Sequence, residues 1–588
     1  MREPTMKWYF EPRRNDDRND DRNDDRADNG RESAAGQISL PAAVLERHGA
    51  LMLDPGKAAA IPGYPPPRST AYRARTLLVP PYLFRNPDFG QEVTTVLGRV
   101  GMHLVVPGQD QRGGSGQSLM DRLPRPAVLV PVEGAGLPPV VIDAWVALQA
   151  LRAAGATGKH RALTDDAVRT ISLEHLLVGS PASGPAYGGG SGLTGTSGVT
   201  GPGCTDSYVF SGGDTRLPVA VLLPAPARRT AAECSAAYGR RAVIAVVDTG
   251  MRCHPWLNVK AKPGGGYETE PDGFVAVDHD LQKAIYAEGE LTANSGDRPR
   301  HLIKHPWDTP VTADPLIGEL DTDTGHGTYI AGIVRQIVPD ARVLAIRVMR
   351  SDGIVYEGDL ICALGLLATR VAAAEAGDQT GDGMVDMLSL SFGFFDESAA
   401  DEAFSSGLWV VIKELLDLGV VVVSAAGNFA TTRRFYPAAF AEYPVPAGQV
   451  PVISVAALNP NGSKAMFSDA GRWVSAWGPG AVVVSTYPTD INGSRCAELE
   501  MPARPAGELP PGAGPAMGGA ALDPDDYSGG FALWSGTSFS APTVASHILG
   551  ALLEGAATTG SGLRLDVPGK HAAAARAVAA LERLGWHE

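Results

Sequence analysis

The sequence predicts a doubly wound, mostly parallel α/β fold preceded by a small α+β N-terminal domain, and three observations predict it. After Arg240, short and almost uninterrupted apolar runs alternate with helix-length stretches, the pattern of strands buried on both faces and joined by helices. Between Arg75 and Val178 strand-like and helix-like segments intermix in a shorter array. A stretch rich in Gly, Ser and Thr, from Gly179 to Gly213, separates the two and reads as a linker.

Taken in order, residues 1–35 are expected to be a disordered charged tail. Residues 13–30 repeat Arg-Asn-Asp-Asp with only Ala27 offering an apolar side chain, too little to offset the entropy of folding. Residues 36–178 are expected to form the small domain. Strands fit Thr76–Val79, Met102–Val106 and Ala127–Val132, and helices fit Phe89–Val100 and Pro138–Ala154. Strand, helix, strand, strand, helix is most of a ferredoxin-like sandwich, with its final strand not visible in the pattern. A third helix is predicted over Thr164–Val178, capped by Thr164 and stopped by Gly179. Residues 179–240 are assigned to the linker.

The main domain is expected to span 241–588. Ala242–Val247, Val343–Val348, Met387–Phe392, Val420–Ser424 and Val452–Ala456 read as strands buried on both faces. Helices are predicted over His326–Val338, Asp359–Ala374 and Glu402–Leu418, the first with Ile330, Ile333, Val334 and Ile337 on one stripe. In such sheets the ligand cleft lies at the carboxyl ends of the strands. Asp248 stands just past the end of the first one.

The chain has 588 residues, a formal net charge of −15, 44% hydrophobic and 20% charged residues. An acidic balance lacks the clustered Lys and Arg that phosphate binding needs, which argues against a nucleic-acid partner. No run approaches the roughly 20 apolar residues that span a bilayer, and the N-terminal residues lack the apolar stretch of a secretory signal. The expectation is a cytoplasmic protein with no membrane partner, secretion by another route being left open. Five scattered cysteines without metal-ligand spacing fit reduced thiols.

Hydrolysis by a serine needs a hydroxyl, a base, a carboxylate to orient the base, and donors aimed at the developing oxyanion. Val246-Val-Asp248-Thr-Gly250 places a carboxylate at a strand end. Gly325-His326-Gly-Thr328 opens a helix with a histidine, and Ser535-Gly-Thr-Ser538-Phe-Ser-Ala-Pro542 opens another with a serine. A second Asp-Thr-Gly, Asp323-Thr-Gly325, raises the alternative of paired aspartates. It lacks the apolar strand before it and the Ser or Thr after it.

These segments resemble the subtilisin family in motif and in the order aspartate, histidine, serine. Asp248-Thr-Gly-Met-Arg-Cys-His-Pro255, Gly325-His-Gly-Thr-Tyr-Ile-Ala-Gly332 and Gly536-Thr-Ser-Phe-Ser-Ala-Pro542 look like its three motifs. The resemblance, covering roughly Arg241 to Gly550, implies a subtilisin-like serine endopeptidase with Asp248, His326 and Ser538 as triad. It implies Asn428, in Ser424-Ala-Ala-Gly-Asn428, as oxyanion-hole donor, with Ala426 and Gly427 beside the substrate. Ser391, Phe392 and Gly393 resemble the strand that pairs with substrate backbone. Phe435 stands in a segment resembling the one behind the specificity pocket, which Phe429 and Phe435 would line. With no acidic residue evident there, an apolar P1 residue is expected.

A peptide or protein substrate follows from the same resemblance. Catalysis is expected to require no cofactor; structural calcium is compatible with the acidic loops, but no segment has EF-hand spacing. His254, His301 and His305 form no metal-ligand grouping, and His547 reads as packing. Subtilisin-like enzymes often carry a small domain ahead of the protease as a folding aid and inhibitor, and residues 75–178 resemble that arrangement in size and element order, so the resemblance implies intramolecular inhibition by the N-terminal domain. Two other functions are compatible with the motifs: a peptide-maturing or macrocyclising transacylase, and a pseudoprotease that only binds peptides.

Overall fold

Among the described residues, seven parallel strands form the main sheet in the order Val275–Val277, Arg342–Arg347, Val243–Asp248, Met387–Leu390, Val421–Ala425, Ile453–Leu458, Ala476–Pro479. The structure is a computed structural model that describes residues 8–11, 40–59, 66–108, 118–132, 141–179, 216–219, 223–263, 265–310, 312–314, 319–377, 383–398, 407–493, 500–501, 519–520, 525–558 and 562–586. Successive strand residues enter two separate cores. Ala245, Val247, Leu388 and Val422 face the helices Glu357–Glu375 and Gly407–Asp417. Ile244, Val246, Met387 and Val423 face His326–Ile337 and Thr537–Ala557. Both faces are therefore covered, which is why these strands read as continuous apolar runs. The first strand of the chain's parallel set, Val243–Asp248, lies between Arg342–Arg347 and Met387–Leu390. The strand order reverses there, and a crevice opens at such a switch point.

The N-terminal unit runs strand Ala71–Val79, helix Pro87–Gly98, strands Met102–Val105 and Arg125–Pro131, helix Ala144–Ala156, strand Ser172–Gly179. Asn86 and Asp143 cap the two long helices through their side chains. Its antiparallel sheet has the order 102–105, 125–131, 71–79, 172–179. Phe89, Val93 and Leu97 from one helix and Trp145, Leu148 and Leu151 from the other fill the core beneath it.

Three expectations are corrected. The helix predicted over Thr164–Val178 is helical only at Asp165–Arg169, and Ser172–Gly179 is the final strand of the sandwich. Its local sequence, Ser-Leu-Glu-His-Leu-Leu-Val, is compatible with either structure; burial on both faces and between strands decides it. Trp8–Glu11, expected within the disordered tail, are not: Tyr9 and Phe10 pair antiparallel with Trp477 and Ala476 and cover the edge of the main sheet. Trp8 stacks on His547 at 5.5 Å. Within the stretch assigned to the linker, residues 180–215 lie outside the described ones, but structure resumes at Arg216. Leu217–Pro218 pairs with Phe531–Trp534, and Ala231–Tyr238 is a helix held by a Thr230–Glu233 capping box.

Candidate active site

Asp248 ends the central strand, fully buried, and accepts a hydrogen bond from the Thr249 N–H at 2.7 Å. His326 opens its helix, and its Nδ1 lies 2.8 and 3.0 Å from the two Asp248 carboxylate oxygens. Burial alone would depress an imidazole, but Asp248, followed by Asp323 and Asp308, outweighs it and holds the His326 pKa above its ordinary value. With Nδ1 committed to Asp248, Nε2 is the nitrogen left to take a proton. It has no hydrogen-bond partner among the described residues.

Ser538 lies in the first turn of the helix Thr537–Ala557, where backbone N–H groups have no intrahelical acceptor. Its Oγ donates to the Ser391 carbonyl at 3.3 Å. In this state the hydroxyl is turned to the edge of the cleft and not to His326; such contacts commonly close only around a reacting substrate. Asn428 follows the strand Val421–Ala425. Its Oδ1 accepts from Thr537 N and Thr537 Oγ1 at 3.0 and 2.9 Å, which fixes the accepting end of the amide and so the direction in which its NH₂ donates.

Ala426 N–H bonds to Val455 O, and Gly427 N–H to Thr537 Oγ1 at 3.1 Å. Both therefore shape the loop that carries Asn428. Asp469 holds the same loop from behind: its Oδ1 accepts from Phe429 N and Thr431 N at 2.8 and 3.0 Å, and its N–H donates to Gly427 O. Burial drives the Asp469 carboxyl well above its ordinary pKa, against those two hydrogen bonds.

Ser391 lies beside Ser538, and a strand of this same chain pairs with the next two residues, Phe392 and Gly393. Phe392 is opposite Gly179 and Gly393 opposite Val178, antiparallel. On its other side the segment Leu176–Val178 pairs with Ile354–Tyr356, and Gly179 N–H donates to Gly353 O at 2.7 Å. The last strand of the N-terminal unit thus fills a slot between two strands of the main domain, directed at Ser538. A dense buried ionic cluster fastens it. Arg300 contacts Glu174, Asp297 and Asp359, Arg73 pairs with Asp297, and Arg350 with Asp359. All three guanidinium groups lie over the Tyr356 ring. Buried pairs of this kind cost desolvation energy but fix one arrangement of the groups they join.

Phe435, expected to line an open pocket, is fully buried with its ring packed against Phe395 and Phe429. Sequence reading missed the second wall of the slot, although Gly353 before the β-prone Ile354-Val-Tyr356 is a turn-then-strand signal. It also missed Thr537 and Asp469. Of the histidines set aside, His254 bonds to Gly530 O and accepts from Trp256 N, and burial depresses its pKa to about 4. Among the described residues no group of three or more His, Cys, Asp or Glu could hold a metal ion, and no helix is long and apolar enough to cross a membrane.

A carboxylate bound to an imidazole, a serine at a helix start and a fixed amide beside it can perform nucleophilic acyl transfer. The model of the subtilase family matches residues 239–562, more than half of the chain. The chain belongs to the subtilase family. Thermitase of Thermoactinomyces vulgaris is 30% identical to this subtilase over 180 residues, 29% of this chain and 54% of the relative. Subtilisin DY of Bacillus licheniformis is 29% identical over 191 residues, 29% of this chain and 59% of the relative. The matched part of this subtilase thus spans little more than half the length of these relatives. A crystal structure of a lanthipeptide protease is 18% identical, with a TM-score of 0.33, and the match covers 53% of this chain and 73% of that one.

Proposed function

We propose that this subtilase is a serine endopeptidase working through an acyl-enzyme, with Asp248, His326 and Ser538 as its triad. Ser538 Oγ attacks the scissile carbonyl while His326 Nε2 takes its proton, and Asp248 steadies the imidazolium that forms. The Ser538 N–H and the Asn428 amide donate to the oxyanion. His326 then gives the proton to the leaving amine, and water resolves the ester. The observation that carries this reading is the Asp248–His326 pair, two carboxylate oxygens within 3.0 Å of one ring nitrogen in a fully buried setting. Labelling of the full chain by a small fluorophosphonate, lost in Ser538→Ala, tests it. A labelled protein that yields only ligated peptides would make it a transacylase, and one never labelled, even at a pH high enough to part the N-terminal unit from the cleft, would be a peptide-binding pseudoprotease.

A second feature belongs to the same reading: the N-terminal unit acts as an inhibitor lying in the cleft in the manner of a product. The pairing of Ser172–Gly179 with both Ile354–Tyr356 and Phe392–Gly393 supports it. A peptide substrate adding itself as a strand would have to take the same slot.

A further inference from the structure

From the packing around Phe435 we infer that this enzyme takes substrates with a small residue, Gly, Ala or Ser, at P1, the residue whose carbonyl is attacked. This rests on the acyl-enzyme reading above and names its substrate class. Ser538 lies beside Ser391, and the Asn428 amide is anchored to Thr537, the residue before Ser538. A peptide acylating Ser538 while paired with Phe392–Gly393 has to send its P1 side chain between two backbones, the 391–393 strand and the 426–428 loop.

That space is occupied by the protein itself. A methyl group built on Gly393 would lie 2.5 and 2.8 Å from Cε1 and Cδ1 of Phe435, and one built on Gly427 would lie 3.1 Å from Phe435 Cδ1. The ring is therefore wedged between the two glycines, and it is fully buried. It has nowhere to go, because Phe395 and Phe429 stand at 5.1 and 5.7 Å from it and at 5.3 Å from each other. A large P1 side chain would have to displace a packed aromatic cluster, which interiors resist. A hydrogen, methyl or hydroxymethyl group needs no such space.

The test uses the full-length protein, allowed to self-cleave and brought to the high pH at which its N-terminal strand leaves the slot, and peptidyl diphenylphosphonates that differ only at P1, with covalent capture of Ser538 followed by intact mass. A plain fluorophosphonate is run beside them. The Ala-type reagent should label at least about 100-fold faster than the Phe-type reagent, and Phe435→Gly should narrow or invert that ratio. Phe435→Ala serves as a second, milder opening, and the wild-type ratio decides alone where neither variant folds. Fluorophosphonate labelling with equal or faster capture by the Phe-type reagent overturns the inference and leaves the peptidase reading intact. Absence of fluorophosphonate labelling under those conditions, with the N-terminal strand released, removes that reading and the inference with it.

Discussion

His175 Nδ1 lies 2.7 Å from Glu357 Oε2 and its Nε2 lies 2.9 Å from Glu397 Oε2, all three groups being buried. The histidine belongs to the strand of the N-terminal unit that fills the cleft, and both glutamates belong to the main domain. Arg152 stands 3.5 Å from Glu397, and the ring stacks on Phe394 at 4.3 Å. Burial by itself would depress this imidazole, but the two carboxylates outweigh it and hold its pKa well above 6.5.

The sign of the resulting pH dependence follows from linkage. A histidine whose pKa is raised in the docked, folded state contributes stability fully below its unfolded pKa, and that contribution is lost as pH rises through the raised value. In a Ser538→Ala background, which removes self-cleavage, thermal stability should therefore fall as pH climbs well beyond 6.5. Adding His175→Gln should remove this component of the profile. His175→Ala should cost about 3–5 kcal/mol near neutral pH, because two buried carboxylates lose their counter-charge. Parallel profiles with and without His175 would show that the pair does not govern docking.

His326 yields a kinetic expectation of the same kind. As the proposed base it must be neutral to accept the Ser538 proton, and Asp248 raises its pKa against the effect of burial. The acid limb of kcat/KM should thus have its midpoint above 6.5. His326→Ala and Ser538→Ala should each lower kcat by about 10⁶, the scale seen for the subtilisin triad, with little further loss in the double variant. Additive losses would mean that the two do not act as a unit.

Asn428→Ala should reduce kcat by about 10² to 10³, again the scale of the subtilisin case, with little change in KM, since its amide would act on charge that develops only in the transition state. Thr537→Val keeps the Thr537 N–H that bonds to Asn428 Oδ1 and removes the hydroxyl that does so. It should give a smaller loss in the same parameter. A rise in KM at constant kcat would make Asn428 a substrate contact.

The parts of this molecule that were legible in the sequence are those where residue type and local structure coincide. Asp248, His326 and Ser538 each sit at an element boundary within two residues of a glycine, Gly250, Gly325 and Gly536, and the strands between two cores announce themselves as apolar runs. What escaped depends on distant partners. Ser172–Gly179 carries Glu174 and His175, which look like exposed helical positions until Arg300, Glu357 and Glu397 are brought to them. Trp8-Tyr-Phe10 is too short to signal a strand without the edge at Ala476–Pro479. Phe435 reads as a pocket lining because Phe435-Tyr-Pro437-Ala resembles the family segment behind the pocket; its place between Gly393 and Gly427 is visible only in the fold.

The seating of the N-terminal unit leads to a final expectation about its fate. Gly179 lies in the cleft, and structure resumes at Arg216, whose guanidinium bonds to Thr324 O and Tyr487 OH at 2.8 and 3.1 Å. Self-cleavage should therefore fall between Gly179 and Arg216, in wild type and not in Ser538→Ala. Cutting there would break one peptide bond while leaving the contacts of the N-terminal unit in place. Arg73 and Glu174 would still engage Asp297 and Arg300, His175 would still bridge Glu357 and Glu397, and Tyr9–Phe10 would still extend the sheet on Trp477 and Ala476. Separating the fragment would also expose Leu78, Leu176, Leu177 and Val178, which share a core with Ile354, Val355 and Phe392 of the main domain, at about 1.5–3 kcal/mol for each large side chain returned to water. The two fragments should accordingly co-elute in size-exclusion chromatography at neutral pH and part only in denaturant or at high pH, with peptidase activity appearing as they part. Intact mass, N-terminal sequencing and activity on the eluted fractions would check each step. Full activity while the N-terminal fragment remains bound would show that its strand does not block the cleft, and cutting in Ser538→Ala as well would assign the cleavage to another protease.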